Sequence, residues 1–139
     1  MRLCSVITFG VWLSLLSIGA INLKAADDAD AKTKLIGTWV VPQEQYTPVI
    51  RGGETSFKGD GTFTSFALLR IRDQQIRIDV QGKWKVEKGV LIEEITKSSK
   101  EQMVPVGLIS RDTLLEVNEK TYRYRSEKGQ ERHKLRKPN

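Results

Sequence analysis

A two-residue alternation of apolar and polar side chains over residues 76–86 limits the fold of this 139-residue chain more than any other sequence feature. Every even position holds an apolar residue or glycine, whereas the odd positions hold Arg, Asp, Gln or Lys. Because successive side chains of a strand point to opposite faces, the pattern predicts a long β-strand with one buried and one solvated face. Gly82, inside this run, predicts a bulge or a sharp bend.

Turn-forming residues divide the rest of the domain into further short strands. The segment Gly59-Asp60-Gly61 predicts a hairpin loop, because glycine adopts positive φ at little cost. Pro105 lies in the predicted strand 103–109 and indicates that this strand is an edge strand or irregular. The other predicted strands cover residues 39–41, 50–57, 62–71, 90–95, 103–109, 113–117 and 121–125.

The short connections between these strands decide the fold class. They predict an all-β domain, an antiparallel up-and-down meander of seven or eight strands that closes into a small barrel. The barrel is expected to span residues 35–126. No segment of this region has a helical period, and residues 26–34 are expected to form a linker or a short helical turn.

The N-terminal segment resembles a secretory signal peptide. Arg2 precedes an almost uncharged apolar run over residues 6–23, and small residues follow. We expect cleavage after Ala25, or alternatively near Gly19, which would leave the domain secreted or in the periplasm. The run is also close to the length of a membrane span, so an uncleaved N-terminal anchor is the alternative.

The C-terminal segment, residues 127–139, carries five Lys or Arg against two Glu. Such a charge excess is typical of a solvated, disordered tail, which is what we expect here. The alternative is that the tail makes weak contact with an anionic lipid surface or an envelope polymer.

Catalytic chemistry is not expected. His133 is the only histidine, and the only cysteine, Cys4, would be removed with the signal peptide. This leaves no Ser-His-Asp or Cys-His arrangement and no His/Cys metal site, so neither a metal nor a cofactor is predicted. Glu93 and Glu94 are adjacent on one strand, so one of them must point inward. It could contact a ligand or act as an acid, although a solvated strand end is the simpler interpretation.

Several short motifs follow one another along the chain. They are Leu35-Ile36-Gly37-Thr38-Trp39, then Phe57 with Asp60-Gly61-Thr62-Phe63, then Gly82-Lys83-Trp84-Lys85-Val86 with Gly89 and Leu91, and finally Tyr122-Arg123-Tyr124-Arg125. Together these motifs resemble the bacterial lipocalin-like domain family. The resemblance covers residues 34–126 and implies an antiparallel barrel with an interior cavity. It also implies that an arginine of the last strand, Arg123 or Arg125, covers Trp39 of the first strand. A similar start, Leu-x-Gly-x-Trp, occurs in a small β-domain of bacterial heat-shock and secreted proteins, which remains an alternative.

Four aromatic residues fall on predicted inward faces, where they either fill the core or line an apolar pocket. With the two arginines above they form the candidate binding set. The sequence therefore favours a secreted or periplasmic binding module for a small apolar or amphipathic ligand. The alternative is a ligand-free barrel with a structural or protein-interaction role at the cell envelope. The candidate residues are Trp39, Phe57, Phe63, Trp84, Arg123 and Arg125.

Two other patterns allow more than one interpretation. Phe66 and Leu68 interrupt a polar outer face, which indicates either a bulge in the strand or an apolar patch for dimerisation or a partner. Aromatic and basic residues alternate over residues 122–125, as they do on some nucleic-acid surfaces. The predicted signal peptide argues against a nucleic-acid partner, and alternation on a last strand explains the pattern.

Overall fold

The computed structural model describes residues 20–139, with side chains from Asp27 onward. Eight antiparallel strands follow one another in chain order and close into a barrel, as the sequence predicts. Arg2, Cys4 and most of the predicted signal peptide lie outside the described residues. Within residues 20–139, no helix is long and apolar enough to cross a membrane. The strands are β1 (Gly37–Val40), β2 (Ile50–Phe57), β3 (Thr62–Ile71), β4 (Gln74–Glu87), β5 (Val90–Ser98), β6 (Ile109–Val117), β7 (Thr121–Arg125) and β8 (Glu131–Arg136).

The predicted irregularity at Gly82 is confirmed, and its cause is steric. The register between β4 and β5 shifts between Gln81 and Gly82. A Cβ atom at Gly82 would lie 1.9 Å from the carbonyl oxygen of Glu94 and 2.6 Å from the Phe63 ring. Glycine therefore allows β5 and an aromatic side chain to approach this point of the barrel wall.

Strand β3 pairs with β4 without interruption, and the irregularity in its pairing with β2 lies in β2, between Ile50 and Gly52. The interpretation of Phe66 and Leu68 as a bulge in β3 is therefore wrong. Both side chains are half-buried on the outer face. The guanidinium carbon of Arg77 lies 3.9 Å from the centre of the Phe66 ring. Part of this outer apolar surface is thus covered from within the chain itself.

The prediction of a disordered C-terminal tail is wrong. Strand β8 pairs with β7 and, through Arg136 and Leu135, with β1, and this second pairing closes the barrel. The domain therefore extends beyond residue 126. The run of basic residues concealed the strand, because a strand with charged side chains on both faces has no apolar alternation.

Two further expectations are corrected near the barrel ends. Residues 26–34 belong to an α-helix, α1 (Ala20–Leu35), rather than to a linker. The Asp28 carboxylate accepts hydrogen bonds from the backbone N–H groups of Lys88 (2.6 Å) and Gly89 (2.8 Å), and Leu35 is fully buried. The predicted strand over residues 103–109 is also wrong for its first six residues, because residues 99–108 form a series of turns and β6 begins only at Ile109.

The strand connections lie alternately at the two ends of the barrel. Helix α1 and the connections at 58–61, 88–89 and 118–120 define the closed end. The connections at residues 41–49, 72–73, 99–108 and 126–130 define the open end. A single 3₁₀ turn, Gln43–Gln45, lies in the first of the open-end connections.

Candidate functional site

The closed half of the barrel interior is a packed aromatic core. The rings of Trp39 and Tyr122 meet edge to face with centroids 4.9 Å apart, and those of Phe57 and Trp84 are also 4.9 Å apart. Both indole N–H groups are hydrogen-bonded to backbone carbonyls, Trp39 to Leu35 at 2.7 Å and Trp84 to Lys58 at 3.0 Å. These rings leave little space for a ligand, because they pack against one another and both indole N–H groups already have acceptors.

Each of the four predicted aromatic residues is part of this core. Trp39, Phe57, Phe63 and Trp84 are between 0 and 4 % exposed. They belong to one cluster with Leu91 and Tyr122. Of the two roles that the sequence left open for them, core packing is the one that their contacts support.

Arg136 covers Trp39, so the expectation that Arg123 or Arg125 does so is wrong. The guanidinium carbon of Arg136 lies 4.3 Å from the centre of the Trp39 ring. The same guanidinium donates hydrogen bonds to the carbonyl oxygens of Lys34, Ile36 (2.9 Å) and Glu119 (2.6 Å). It thereby ties α1, the start of β1 and the β6–β7 connection together at the closed end.

Arg123 and Arg125 point outward and are exposed. Arg123 pairs with Glu116 at 3.0 Å and Arg125 pairs with Glu131 at 2.8 Å. Their positions in β7 alternate with the buried Tyr122, which fixes them on the outer face. Neither can contribute to a site inside the barrel.

The open half of the interior is lined by polar side chains linked by hydrogen bonds. The Lys134 ammonium donates to the Thr55 hydroxyl at 3.1 Å. The hydroxyls of Thr55 and Ser65 are 2.9 Å apart, and Ser65 donates to the carbonyl oxygen of Glu54 at 2.8 Å. If each hydroxyl donates one hydrogen bond, the hydrogen bonds run in one direction, from the Lys134 ammonium through Thr55 and Ser65 to the carbonyl oxygen of Glu54. An ammonium has three N–H donors, and Thr55 occupies one of them.

Two inward carboxylates lie near Lys134. Burial raises the pKa of Glu93 and that of Asp112, and in both cases the Lys134 charge opposes the rise. Burial likewise lowers the pKa of Lys134, against the attraction of the two carboxylates. Among the ion pairs of the described residues, none joins Lys134 to Glu93 or Asp112 within 4.0 Å. The three groups therefore influence one another's charge without direct contact.

The carboxylates of Glu93 and Asp112 face accessible space. In residues 27–139, no buried side-chain nitrogen or oxygen lacks a hydrogen bond. Because neither carboxylate has a partner within that part of the chain, neither can be sealed in the core. Glu93 alternates with the buried Leu91 and Ile95, so it points inward, whereas Glu94 is exposed. The prediction that one residue of this pair points inward is confirmed.

A cavity of about 250 Å³ opens between β2, β3, β7, β8 and the β1–β2 connection in this half of the barrel. Its wall combines aliphatic side chains with hydrogen-bond donors. Burial raises the pKa of Tyr124 to about 12, so its hydroxyl stays protonated at physiological pH. The lining side chains include Val41, Thr55, Ser65, Ala67, Leu69, Tyr124, Arg132 and Lys134.

The 3₁₀ turn is fastened to β8 beside this cavity. The Gln45 side-chain nitrogen contacts Nδ1 of His133, and Nε2 of His133 lies 3.2 Å from a carboxylate oxygen of Glu44. His133 thus holds the β1–β2 connection at the cavity wall. No group of three His, Cys, Asp or Glu residues that could hold a metal ion occurs among the residues with described side chains.

The sequence missed the central residue of this site, Lys134. The sequence feature that could have identified it is the spacing of Arg132, Lys134 and Arg136, which places all three side chains on one face of a strand. Because all three are basic, the spacing was indistinguishable from a charged tail. Asp112 falls between the predicted strands 103–109 and 113–117, but it lies inside β6 and pairs with Leu91 of β5.

The strand order, the capped end and the tryptophan–arginine pair define a lipocalin-like barrel. A solved structure described as a lipocalin-like protein from Bacteroides uniformis ATCC 8492 is similar, with a TM-score of 0.49 and 12 % sequence identity. The match covers 75 % of this chain and 99 % of that one. No protein-family model and no curated protein matches the sequence.

Proposed function

We propose that this protein is a binding module that takes a small amphipathic ligand, with an acceptor head group, into the open half of its barrel. The observation that carries the proposal is Lys134, an interior ammonium that lines a cavity and donates to one described partner only. Its remaining N–H donors suit a carboxylate or a carbonyl oxygen, because charge-assisted hydrogen bonds are the stronger ones.

The cavity wall supports an amphipathic rather than a wholly apolar ligand. Val41, Ala67 and Leu69 offer an apolar surface, and Lys134 and Arg132 offer positive charge on the same wall. A volume of about 250 Å³ lies just below the usual range of ligand pockets, about 300–1,000 Å³. The ligand is therefore small, a short chain with one polar end.

Glu93 and Asp112 limit the charge that the site can accept. Because burial raises the pKa of each, an anionic head group near Lys134 would favour protonation of these carboxylates on binding. Because Lys134 and Arg132 line the cavity and neither carboxylate does, we expect octanoate to bind more tightly than octanol, and octanol more tightly than octylamine, although all three carry the same tail.

Isothermal titration of the full chain with these three compounds tests the proposal. Lys134→Met removes the charge and keeps the length of the side chain. We expect it to weaken octanoate binding about 10- to 100-fold, the range of one hydrogen bond to a charged group. Octanol binding should change far less.

Lys58→Met is the matched control, because Lys58 is exposed at the closed end. It should leave all three affinities unchanged. Preference for octylamine would contradict the proposed head group. Absence of binding by any of the three, with the fold intact, would favour the alternative of a ligand-free barrel with a structural or interaction role.

We also propose that the protein acts outside the cytoplasm without catalysing a reaction. The support is the predicted signal peptide of residues 1–25 and, in the described part of the chain, the structural contacts of the one histidine, His133, with Gln45 and Glu44. Mass spectrometry of the protein from its source tests the location. A mature N-terminus near Ala26 is expected, and an intact Met1 would leave the membrane anchor as the explanation.

A further inference from the structure

Exposed apolar side chains are concentrated at the open end of the barrel. Among the described residues, eight large hydrophobic side chains are exposed, and six of them lie on the connections or strand starts at this end. The other two are Ile36, at the closed end, and Leu135, on the outer face of β8. The six open-end side chains, here called the rim, are Tyr46, Val49, Met103, Val106, Leu108 and Ile109.

The rim residues lie on two sides of the barrel mouth. Tyr46 and Val49 belong to the β1–β2 connection, and the other four lie on or next to the β5–β6 connection. These two connections are four strands apart in an eight-stranded barrel, so they lie on opposite sides. Val104 packs against the core and holds the second connection over the interior, whereas Val106 and Leu108 are 48 % and 46 % exposed.

Basic side chains surround the same mouth. Arg51, Arg72, Lys100 and Lys128 are exposed, and each belongs to, or directly follows, a different open-end connection. None of the four is in an ion pair within 4.0 Å among the residues that the structure describes.

Acidic side chains at this end do not cancel the basic ones. Glu44 contacts His133, and Asp73 pairs with Arg70. With His133 counted as neutral, this leaves Glu44, Glu101 and Glu127 against the four unpaired basic residues, an excess of one positive charge. The rim thus combines apolar tips with a positive surround, which complements a surface of the opposite charge.

We propose that the rim docks onto lipid bilayers that contain anionic phospholipids. The apolar tips would enter the region between head groups and acyl chains, and the basic residues would approach the phosphates. A protein partner with an acidic apolar surface fits less well, because the two apolar groups lie on opposite sides of an opening rather than on one continuous face. Docking would place the cavity mouth against the lipid, but it does not depend on ligand binding.

Hydrogen–deuterium exchange of the full chain on vesicles tests where it docks. The vesicles contain phosphatidylglycerol and phosphatidylcholine, with pure phosphatidylcholine for comparison. The apolar run over residues 6–23 can tether the chain by itself, so the position of the protected amides is the deciding readout. We expect protection in residues 41–49 and 99–108 on the anionic vesicles only. The closed-end connections, residues 58–61 and 118–120, should exchange as they do in solution.

Two pairs of double variants separate apolar insertion from charge. The pair Val106→Ser with Leu108→Ser should raise the lipid concentration needed for half-maximal protection about tenfold. Its control, Ile36→Ser with Leu135→Ser, removes two exposed apolar side chains that lie away from the rim. This control should change the lipid concentration for half-maximal protection less than about twofold. The charge is tested by Lys100→Gln with Lys128→Gln. This pair should raise the lipid concentration for half-maximal protection about fivefold per residue. Lys58→Gln with Lys88→Gln, at the closed end, is the corresponding control.

Several results would overturn the proposal. Protection confined to the closed end, or equal on both kinds of vesicle, would show that docking is not a property of the rim. Equal effects of rim and control variants would show the same. Absence of protection on any vesicle would leave a protein partner as the explanation of the rim. A melting curve for each variant confirms that the fold is retained.

Discussion

The two halves of this barrel interior are built from the same strands, yet they have opposite chemistry. The closed half is an aromatic core whose rings and indole N–H groups are fully engaged. The open half holds two carboxylates, an ammonium and a cavity. The closed half accounts for the stability of the fold, and the open half contains the groups that could recognise a ligand.

Along β2 and β3, the change from aromatic to polar side chains occurs between one inward-facing residue and the next. Because inward positions repeat every two residues, a single step moves from one half to the other. A barrel can thus combine a solid core and a polar site without a change of backbone. The steps are Phe57 to Thr55 in β2 and Phe63 to Ser65 in β3, whereas in β5 the inward Glu93 lies between the buried Leu91 and Ile95.

Trp39→Ala should have the largest effect, because it removes a fully buried ring from the closed half. We expect the free energy of unfolding to fall by about 3–5 kcal/mol, as for other large buried aromatic residues. Urea denaturation followed by circular dichroism measures the change. An unchanged midpoint would mean that the closed half is not the core.

Arg136→Met should come next, since Arg136 donates to three backbone carbonyls above Trp39. The variant keeps an aliphatic contact with the ring but leaves those carbonyls without their donor. We expect a loss of about 2–3 kcal/mol. Arg123→Met is the control, because the Arg123–Glu116 pair is exposed and should contribute less than about 0.5 kcal/mol. Equal losses would mean that the hydrogen bonds of Arg136 do not stabilise the closed end.

Gly82→Ala tests the close approach at the boundary of the two halves. The added methyl group would collide with the Glu94 carbonyl and the Phe63 ring, and we expect a loss of about 1–3 kcal/mol. At Gly59, a Cβ would meet only Ile36, at an ordinary 3.6 Å, so Gly59→Ala should be nearly neutral. Thermal unfolding of both variants tests this difference. Equal melting temperatures would contradict the close approach at Gly82.

Glu93→Gln should have the smallest effect, and that effect should depend on pH. Burial raises the folded-state pKa of Glu93 above its usual 4.5, so the folded protein binds more protons between the two values. Ionised Glu93 therefore lowers stability at neutral pH, and this cost disappears as the pH falls through the raised pKa towards 4.5. Glu93→Gln should be more stable than the wild type at pH 7 and equal to it below about pH 4.

The control for this pH dependence is the neighbouring Glu94→Gln, because Glu94 is exposed on the outer face. Unfolding free energies from urea titrations at pH 4, 5.5 and 7 give both profiles. A Glu93→Gln profile parallel to that of the wild type would mean that Glu93 is solvated like Glu94.

The fold could be predicted from the sequence wherever one face of a strand is apolar. The alternation over residues 76–86 and the hairpin glycines are local signals, and they gave the meander and its closure into a barrel. Strand β8 could not be found in this way. Its inward residues are Arg132, Lys134 and Arg136. Lys134 and Arg136 are accommodated by a hydroxyl and by backbone carbonyls from distant parts of the chain.

The candidate site was less predictable for the same reason. The sequence indicated the four aromatic residues, because large apolar side chains are expected inside a barrel. Whether they line a pocket or fill it depends on the distances between strands that are far apart in the chain. The inward Glu93 was found from its pairing with Glu94, but its proximity to Lys134 and Asp112 depends on the closure by β8.

The central claim is that the open half of the barrel binds and the closed half only packs. Amide and indole resonances of the ¹⁵N-labelled full chain, titrated with octanoate, test it most directly. We predict shifts at Thr55, Ser65 and Tyr124, with the indole N–H signals of Trp39 and Trp84 unmoved. Shifts of those two indole signals, with Thr55 and Ser65 unaffected, would contradict the division of the barrel interior into a core and a site.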